Sequence, residues 1–412
     1  MNKISYLFFI TSLLVLNVLY AQDIPKLRID PAQAYGGTVS EYFDEVEYIP
    51  LETTKESLFG DTPNFIVTDS SFIIFDIDTH CLIFFSNVGK FLSKIKYPSG
   101  IWPQVVFNYH EKRLLVNYQM GNIGMSEVYT SMGSLVDKKK NSVPEDDLRI
   151  ITHIDDSTYA AINSCYFPPG RAPQDININL IELYKNNKLQ KSIMPFNQKE
   201  NMAHCGLAPA HIISVSSAQD GTLYLSTAFT HFIYKVTKDT IQGLFQLIFP
   251  SERTIPGSFL AISDIKKLDS LRNTRWIRND KLIISTSNIS VNGNFLFFKI
   301  RPGEYIWTES SVENAQYNFI YNLKSGRLSS YEHITSDIKS FYLPISNGPR
   351  TSVNGVVNMK GYYYTPISSL LMFAAFEKNK SRNPQYPPLL QEYFATQTRK
   401  SNPVIVRMKL KE

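Results

Sequence analysis

Histidine, cysteine and paired carboxylates are the side chains from which a reactive site is most easily built, and this chain carries them in only a few groupings. His204-Cys205 with His211, joined by His231, places imidazoles and a thiol within one stretch, a donor set that suits zinc. The spacing fits neither a helical face nor a cysteine knuckle, so loop and strand residues explain it more simply and no metal or cofactor is expected. Asp155-Asp156 and Asp146-Asp147 raise a different chemistry, because glycosidases work with two carboxylates at a set separation across the scissile bond. Neighbours along a strand point to opposite faces, and both pairs fall in expected turns, where solvated aspartates are common.

His-Glu-x-x-His, Gly-x-Ser-x-Gly, Gly-x-x-x-x-Gly-Lys-Ser/Thr and paired Cys-x-x-Cys spacings are absent from the sequence, which removes the local signatures of metalloproteases, serine hydrolases, nucleotide-binding loops and zinc knuckles. A site assembled from single residues of several repeats would leave no such signature. Cys165 and Cys205, two of three cysteines, flank one stretch of strands and could be bridged in an oxidising compartment, although sequence separation says nothing of their distance in space.

The elements that would position such residues are strands. Six times a short polar turn leads straight into an apolar or aromatic run: Asp69-Ser70-Ser71 before Phe72, Glu111-Lys112-Arg113 before Leu114, Asp155-Asp156-Ser157 before Tyr159, Asp220-Gly221 before Leu223, Asn292-Gly293 before Phe295, and Lys360-Gly361 before Tyr362. Asp-Gly and Asn-Gly between apolar runs are strong hairpin signals, because their turns need positive φ. After the first five, a second hairpin follows, with turns at Asn87 to Lys90, Met132 to Ser134, Asn186-Asn187, Lys238-Asp239 and Ser325-Gly326. Two hairpins in a unit of about 40 to 50 residues make a four-stranded propeller blade. The expected fold is therefore all-β: a six-bladed β-propeller of four-stranded antiparallel blades with short helical inserts, one domain over residues 22–412.

The sixth unit lacks a final hairpin, since the chain ends on Val404 to Leu410. The early segment 46–51 has no partner of its own, and an unpaired edge is a liability. Pairing 46–51 with 404–410 would supply the missing outer strand and close the ring. Helices are expected within 256–278, around Ile265 to Leu271, and at Pro387 to Phe394, where proline in the first turn costs no hydrogen bond.

Tyr48-Ile49-Pro50-Leu51-Glu52-Thr53-Thr54, the hairpin Phe85 to Ile95 with Gly89-Lys90, and the ending Asn402 to Leu410 make the chain resemble the secreted six-bladed β-propeller proteins of Bacteroidetes, a group largely of unknown function. The resemblance covers essentially the whole mature chain. It departs at Tyr97 to Gln104, where those proteins carry a glycine-rich loop. It implies the fold and a bacterial envelope location, and it carries over no catalytic residue.

In such a blade the short turns share one face, while the second-to-third loops and blade connections share the other. All the long loops fall on that second face. Binding residues concentrate on long loops held by a rigid scaffold, so the expected seat is the channel mouth there, with Trp102, Arg171, His204, Arg301, Trp307 and Arg350 as ligand-binding candidates. Arginine and tryptophan suit anionic or sugar-like ligands through paired hydrogen bonds and ring stacking. Each could equally anchor its own loop.

Met-Asn-Lys, the apolar run Leu7 to Tyr20 and the polar switch at Ala21-Gln22-Asp23 read as a secretory signal peptide over residues 1–21. The run is shorter than the ~20 residues a membrane helix needs, and no cysteine at the junction could take a lipid. An exported, soluble monomer of the periplasm or the extracellular space is expected. The formal charge of +5 loses Lys3 with the leader, which is too dilute for a nucleic-acid footprint. The leading expectation is a non-catalytic binding or interaction propeller of the bacterial cell envelope, its partner a carbohydrate or an envelope protein. The alternative is a carbohydrate-active hydrolase or lyase with its site at the channel mouth.

Overall fold

The computed structural model describes residues 24–60, 64–101, 103–121, 123–142, 150–165, 171–207, 213–217, 220–272, 282–302, 318–347 and 356–411. The expected leader lies outside them.

Six sheets form the six blades. Each blade begins with an inner strand and ends at the periphery: Asn64–Val67 to Phe91–Lys96 in blade 1, Gln104–Asn108 to Leu135–Ser142 in blade 2, Ile150–His153 to Lys188–Asn197 in blade 3, Ile213–Ser217 to Ile241–Ile248 in blade 4, and Ile283–Asn292 to Leu328–Thr335 in blade 5. Each of the six polar turns that precede an apolar run joins the first strand of a blade to its second, and the five later turns join third strands to fourth. Gly221, Gly293 and Gly361 in those turns have φ of 75°, 54° and 79°, the left-handed region that glycine enters without a steric cost.

Blade 6 takes Val357–Met359, Tyr362–Ile367 and Val404–Leu410 from the end of the chain and Phe43–Pro50 from its beginning. The last two run antiparallel, with Tyr48 opposite Val406 and Pro50 opposite Val404. The junction continues into blade 1, where Gly89, at φ 85°, lies so close to Pro50 that a Cβ would sit 2.2 Å from its carbonyl oxygen. No residue with a side chain fits that turn without moving the closing strand.

Two further strands depart from the expected all-antiparallel blades. Lys26–Arg28 runs parallel to the outer strand of blade 4, and Tyr35–Thr38 parallel to the outer strand of blade 5. The segment before the closing strand thus passes around the outside of the ring, covering two edges before it pairs with blade 6.

Helices occupy the connections. Gly257–Leu260 and Ile265–Arg272 lie between blades 4 and 5, and Pro388–Thr396 follows Pro387. Ser369–Asn379, capped by the Ser368 hydroxyl accepting from the Leu371 amide, fills a stretch that the sequence suggests is loop, as does Met202–Leu207 between blades 3 and 4.

Apolar residues at alternate positions put one face of each blade against each neighbour, and the contacts resolve into five buried clusters. One joins blades 1 and 2, one blades 3 and 4 with the nearby helices, one blades 4 and 5, one blades 5 and 6 and one blades 6 and 1. A ring of six blades has six seams. Among the described residues, the seam between blades 2 and 3 has no such cluster.

Candidate functional site

The alternation within blade 2 shows why that seam differs. In its second strand, Arg113–Met120, Leu114 and Val116 are buried against blade 1, whereas Leu115, Asn117 and Gln119 point the other way and are half-buried or exposed. Leu115 pairs with the exposed Val106 on the inner strand, and Asn117 with Gln104. Polar residues at alternate positions on a face cannot drive the close packing that seals the other seams.

A groove of about 1020 Å³ opens there. Its walls are Gln104, Val106, Leu115 and Asn117 of blade 2 and Ile150 to His153 of blade 3, and its mouth is formed by the turns at Asn108 to His110, Ile154-Asp155, Asp220-Gly221 and Thr237 to Asp239. These are all short turns, so the groove opens on the face opposite the long loops. Gly221, at φ 75°, lets the blade 4 turn approach the Ile154 carbonyl, which a Cβ would meet at 3.3 Å.

Local hydrogen bonds fix the polar groups at the mouth. Asn108 Oδ1 accepts from the His110 and Glu111 amides at 3.0 and 3.1 Å. Asp220 Oδ1 accepts from the Thr222 amide at 3.0 Å. Asp155 Oδ1 accepts from the Ser157 amide and hydroxyl at 2.9 and 3.0 Å, and the amide bond foremost holds that carboxyl below its ordinary range. Across the seam, His110 Nε2 and Asp156 Oδ1 meet at 2.6 Å, a direct tie between blades 2 and 3. Asp155 and Asp156 therefore have separate structural tasks. Asp146-Asp147 lies outside the described residues.

His153 is exposed, lines the groove and ends a row of rings across blade 3. Its ring centroid is 5.7 Å from that of Tyr159, which stacks on Tyr184 at 5.0 Å with 7° between the planes. The strand register places the three side by side, His153 opposite Tyr159 and Tyr159 opposite Tyr184. Ala160 and Leu183 face blade 4, so their neighbours Tyr159 and Tyr184 face blade 2.

Of the six residues expected to bind a ligand, the described three, Arg171, His204 and Arg301, do not line this groove. Trp102, Trp307 and Arg350 lie outside the described residues, as does His211. Arg171 is exposed on the loop between the second and third strands of blade 3. Arg301 ends the second strand of blade 5, where its Nε donates to Ser287 Oγ at 3.1 Å. His204, in the helix Met202–Leu207, packs edge-on against Phe196 and Phe229, each centroid 6.0 Å away, and burial lowers its pKa. The described three stand on separate blades or connections. Loop length marks where a chain has freedom, whereas the groove is set by which faces of two blades fail to fill, a property no single loop displays.

The histidine-cysteine stretch resolves differently. Cys205 is bonded to Cys165, which withdraws it as a thiolate donor and ties the helix between blades 3 and 4 to a loop of blade 3. Closing a loop of 40 residues stabilises by about 2–4 kcal/mol, chiefly through the unfolded state. Cys81 remains a buried thiol. Among the described residues, no group of three histidine, cysteine or acidic side chains is placed to hold a metal, and no helix is long and apolar enough to cross a membrane.

The family model described as "Domain of unknown function (DUF4934)" matches residues 27–409. Among curated proteins none matches the sequence. Among solved structures, a Bacteroides fragilis protein described as exported aligns with a TM-score of 0.57 at 12% identity, over 94% of this chain and 100% of its own. A member of the DUF4221 family from Bacteroides vulgatus gives 0.42 at 9% identity over 89% and 98%. A streptogramin B lyase gives 0.36 at 11% over 91% and 100%. The first supports the propeller fold.

Proposed function

We propose, for a chain that belongs to the DUF4934 family, that the propeller is a non-catalytic binding module of the bacterial cell envelope and that its ligand seats in the groove between blades 2 and 3. One observation carries this reading: among the described residues, five seams are closed by apolar clusters, and the sixth holds a large groove whose Asn108, Asp155 and Asp220 are fixed by hydrogen bonds within their own turns. A recess with convergent, preorganised polar groups is the general form of a binding site. Its volume lies at the upper end of those that enclose a small ligand, which suits part of a longer chain. The groove's Asp155 is held more acidic than usual, the opposite of what a general acid needs at neutral pH.

The test uses thermal unfolding with a polysaccharide pool and a peptide pool prepared from the envelope of Bacteroides cells. One pool should raise the melting temperature of the wild type, by an amount equivalent to about 2.7 kcal/mol at a hundredfold excess over Kd. Val106→Trp, which projects an indole from the blade 2 wall into the groove, should abolish the shift, while Arg171→Ala on the long-loop face should keep it. An equal shift in Val106→Trp, a loss confined to Arg171→Ala, or no shift with either pool would overturn the reading.

A further inference from the structure

We infer that the ligand of this groove is a neutral sugar chain, an inference that rests on the seat proposed above. Charge narrows the class first. Among the described residues, the groove is lined by three carboxylates, Asp155, Asp220 and Asp239, against one ammonium, Lys238. A further carboxylate, Asp156, stands at the mouth with 91% of its side chain exposed and meets His110. An anionic ligand such as a uronate chain, a phosphate polymer or a nucleic acid would bring like charge into this field, with little counter-charge to meet it.

Hydrogen-bonding capacity narrows it further. Gln104 and Asn117, opposite each other on blade 2 and both exposed, each offer two amide donors and an acceptor. Asp220 spends Oδ1 on its own turn, which fixes the carboxylate and leaves Oδ2 as an acceptor for a hydroxyl. Side-chain amides and carboxylates held in place are suited to vicinal hydroxyls, which donate and accept at once.

The third feature is the ring of His153, buttressed from behind by Tyr159 and Tyr184. A side chain held by such a row loses little freedom on binding. Its exposed imidazole shares a strand face with the exposed Ile151, so an apolar side chain accompanies the polar groups. A sugar ring has this dual character, with hydroxyls at its rim and C–H bonds on its faces.

Binding to a glycan array bearing neutral glucan, mannan and xylan chains, uronate chains and a peptide set tests the inference. The wild type should retain at least one neutral chain in preference to every uronate chain and peptide. His153→Ala should weaken that binding at least tenfold, and His153→Phe, which keeps an aromatic ring, should restore most of it. Asp220→Asn keeps the turn acceptor but removes the charge, and it should weaken neutral binding while narrowing the preference over uronates. Retention of uronates or peptides alone, or an unchanged affinity in His153→Ala, would overturn the inference. Val106→Trp separates the two failures: if it abolishes binding of a peptide or uronate, the seat stands and the sugar class falls. If it leaves binding unaltered, the seat itself falls.

Discussion

His231 is buried at the start of a blade 4 strand with neither ring nitrogen hydrogen-bonded among the described residues, and its ring packs edge-on against Phe249 at 4.8 Å. Burial lowers its pKa to about 4. The unfolded chain, with an ordinary histidine near 6.5, therefore takes up the proton first as the solution is acidified. Stability attributable to this residue is intact above about pH 6.5 and falls as pH drops toward 4, by about 3 kcal/mol over the window. His231→Asn removes the titrating group with a residue that tolerates the positive φ of 53° found there. Chemical denaturation of wild type and variant at pH 7 and pH 4.5 should show a smaller acid loss in the variant; equal losses would contradict the burial of a neutral imidazole. At this scale little was legible in the sequence. His204, Cys205 and His231 look alike as potential donors, yet one is wedged between two phenylalanines, one is bonded to Cys165 and one is sealed in the core. Those fates depend on contacts between segments far apart in the chain.

The elements were far more legible, because the turns that separate them are under local constraint. A turn that requires positive φ favours glycine, as at Gly221, Gly293 and Gly361 in blades 4, 5 and 6, and a short polar turn recurs at the same point of every blade. The strands Lys26–Arg28 and Tyr35–Thr38 left no comparable trace, being too short for periodicity and held only by a parallel partner. Their role follows from what they cover. Without them, the outer strands Ile241–Ile248 and Leu328–Thr335 present unpaired amides and carbonyls, the condition that leads to edge-to-edge association. A chain lacking residues 24–38 should elute as higher oligomers in size-exclusion chromatography with light scattering, and should melt below the full chain. A monodisperse profile with an unchanged melting temperature would show that these edges are protected by other means.

Around the whole ring, blades 2 and 3 stand apart because, among the described residues, they meet through an open groove rather than an apolar core. Six repeats imply a closed ring, but a sequence shows each blade alone, and a mismatch between two faces appears only when they are set side by side. Leu115 and Asn117 alternate as ordinary half-buried strand residues do, and nothing in their spacing marks the partner they lack. Fewer buried apolar contacts lower the free energy of local opening, so the seam should also be where the ring breathes. Native-state hydrogen exchange tests this most directly, with and without the neutral chain that the array retains best. Amides of Gln104–Asn108 and Ile150–His153 should exchange faster than those of the other inner strands in the free protein, and should become protected when the chain is bound. Uniform protection across the six inner strands, or ligand-induced protection confined to the long-loop face around Arg171 and Arg301, would contradict the account.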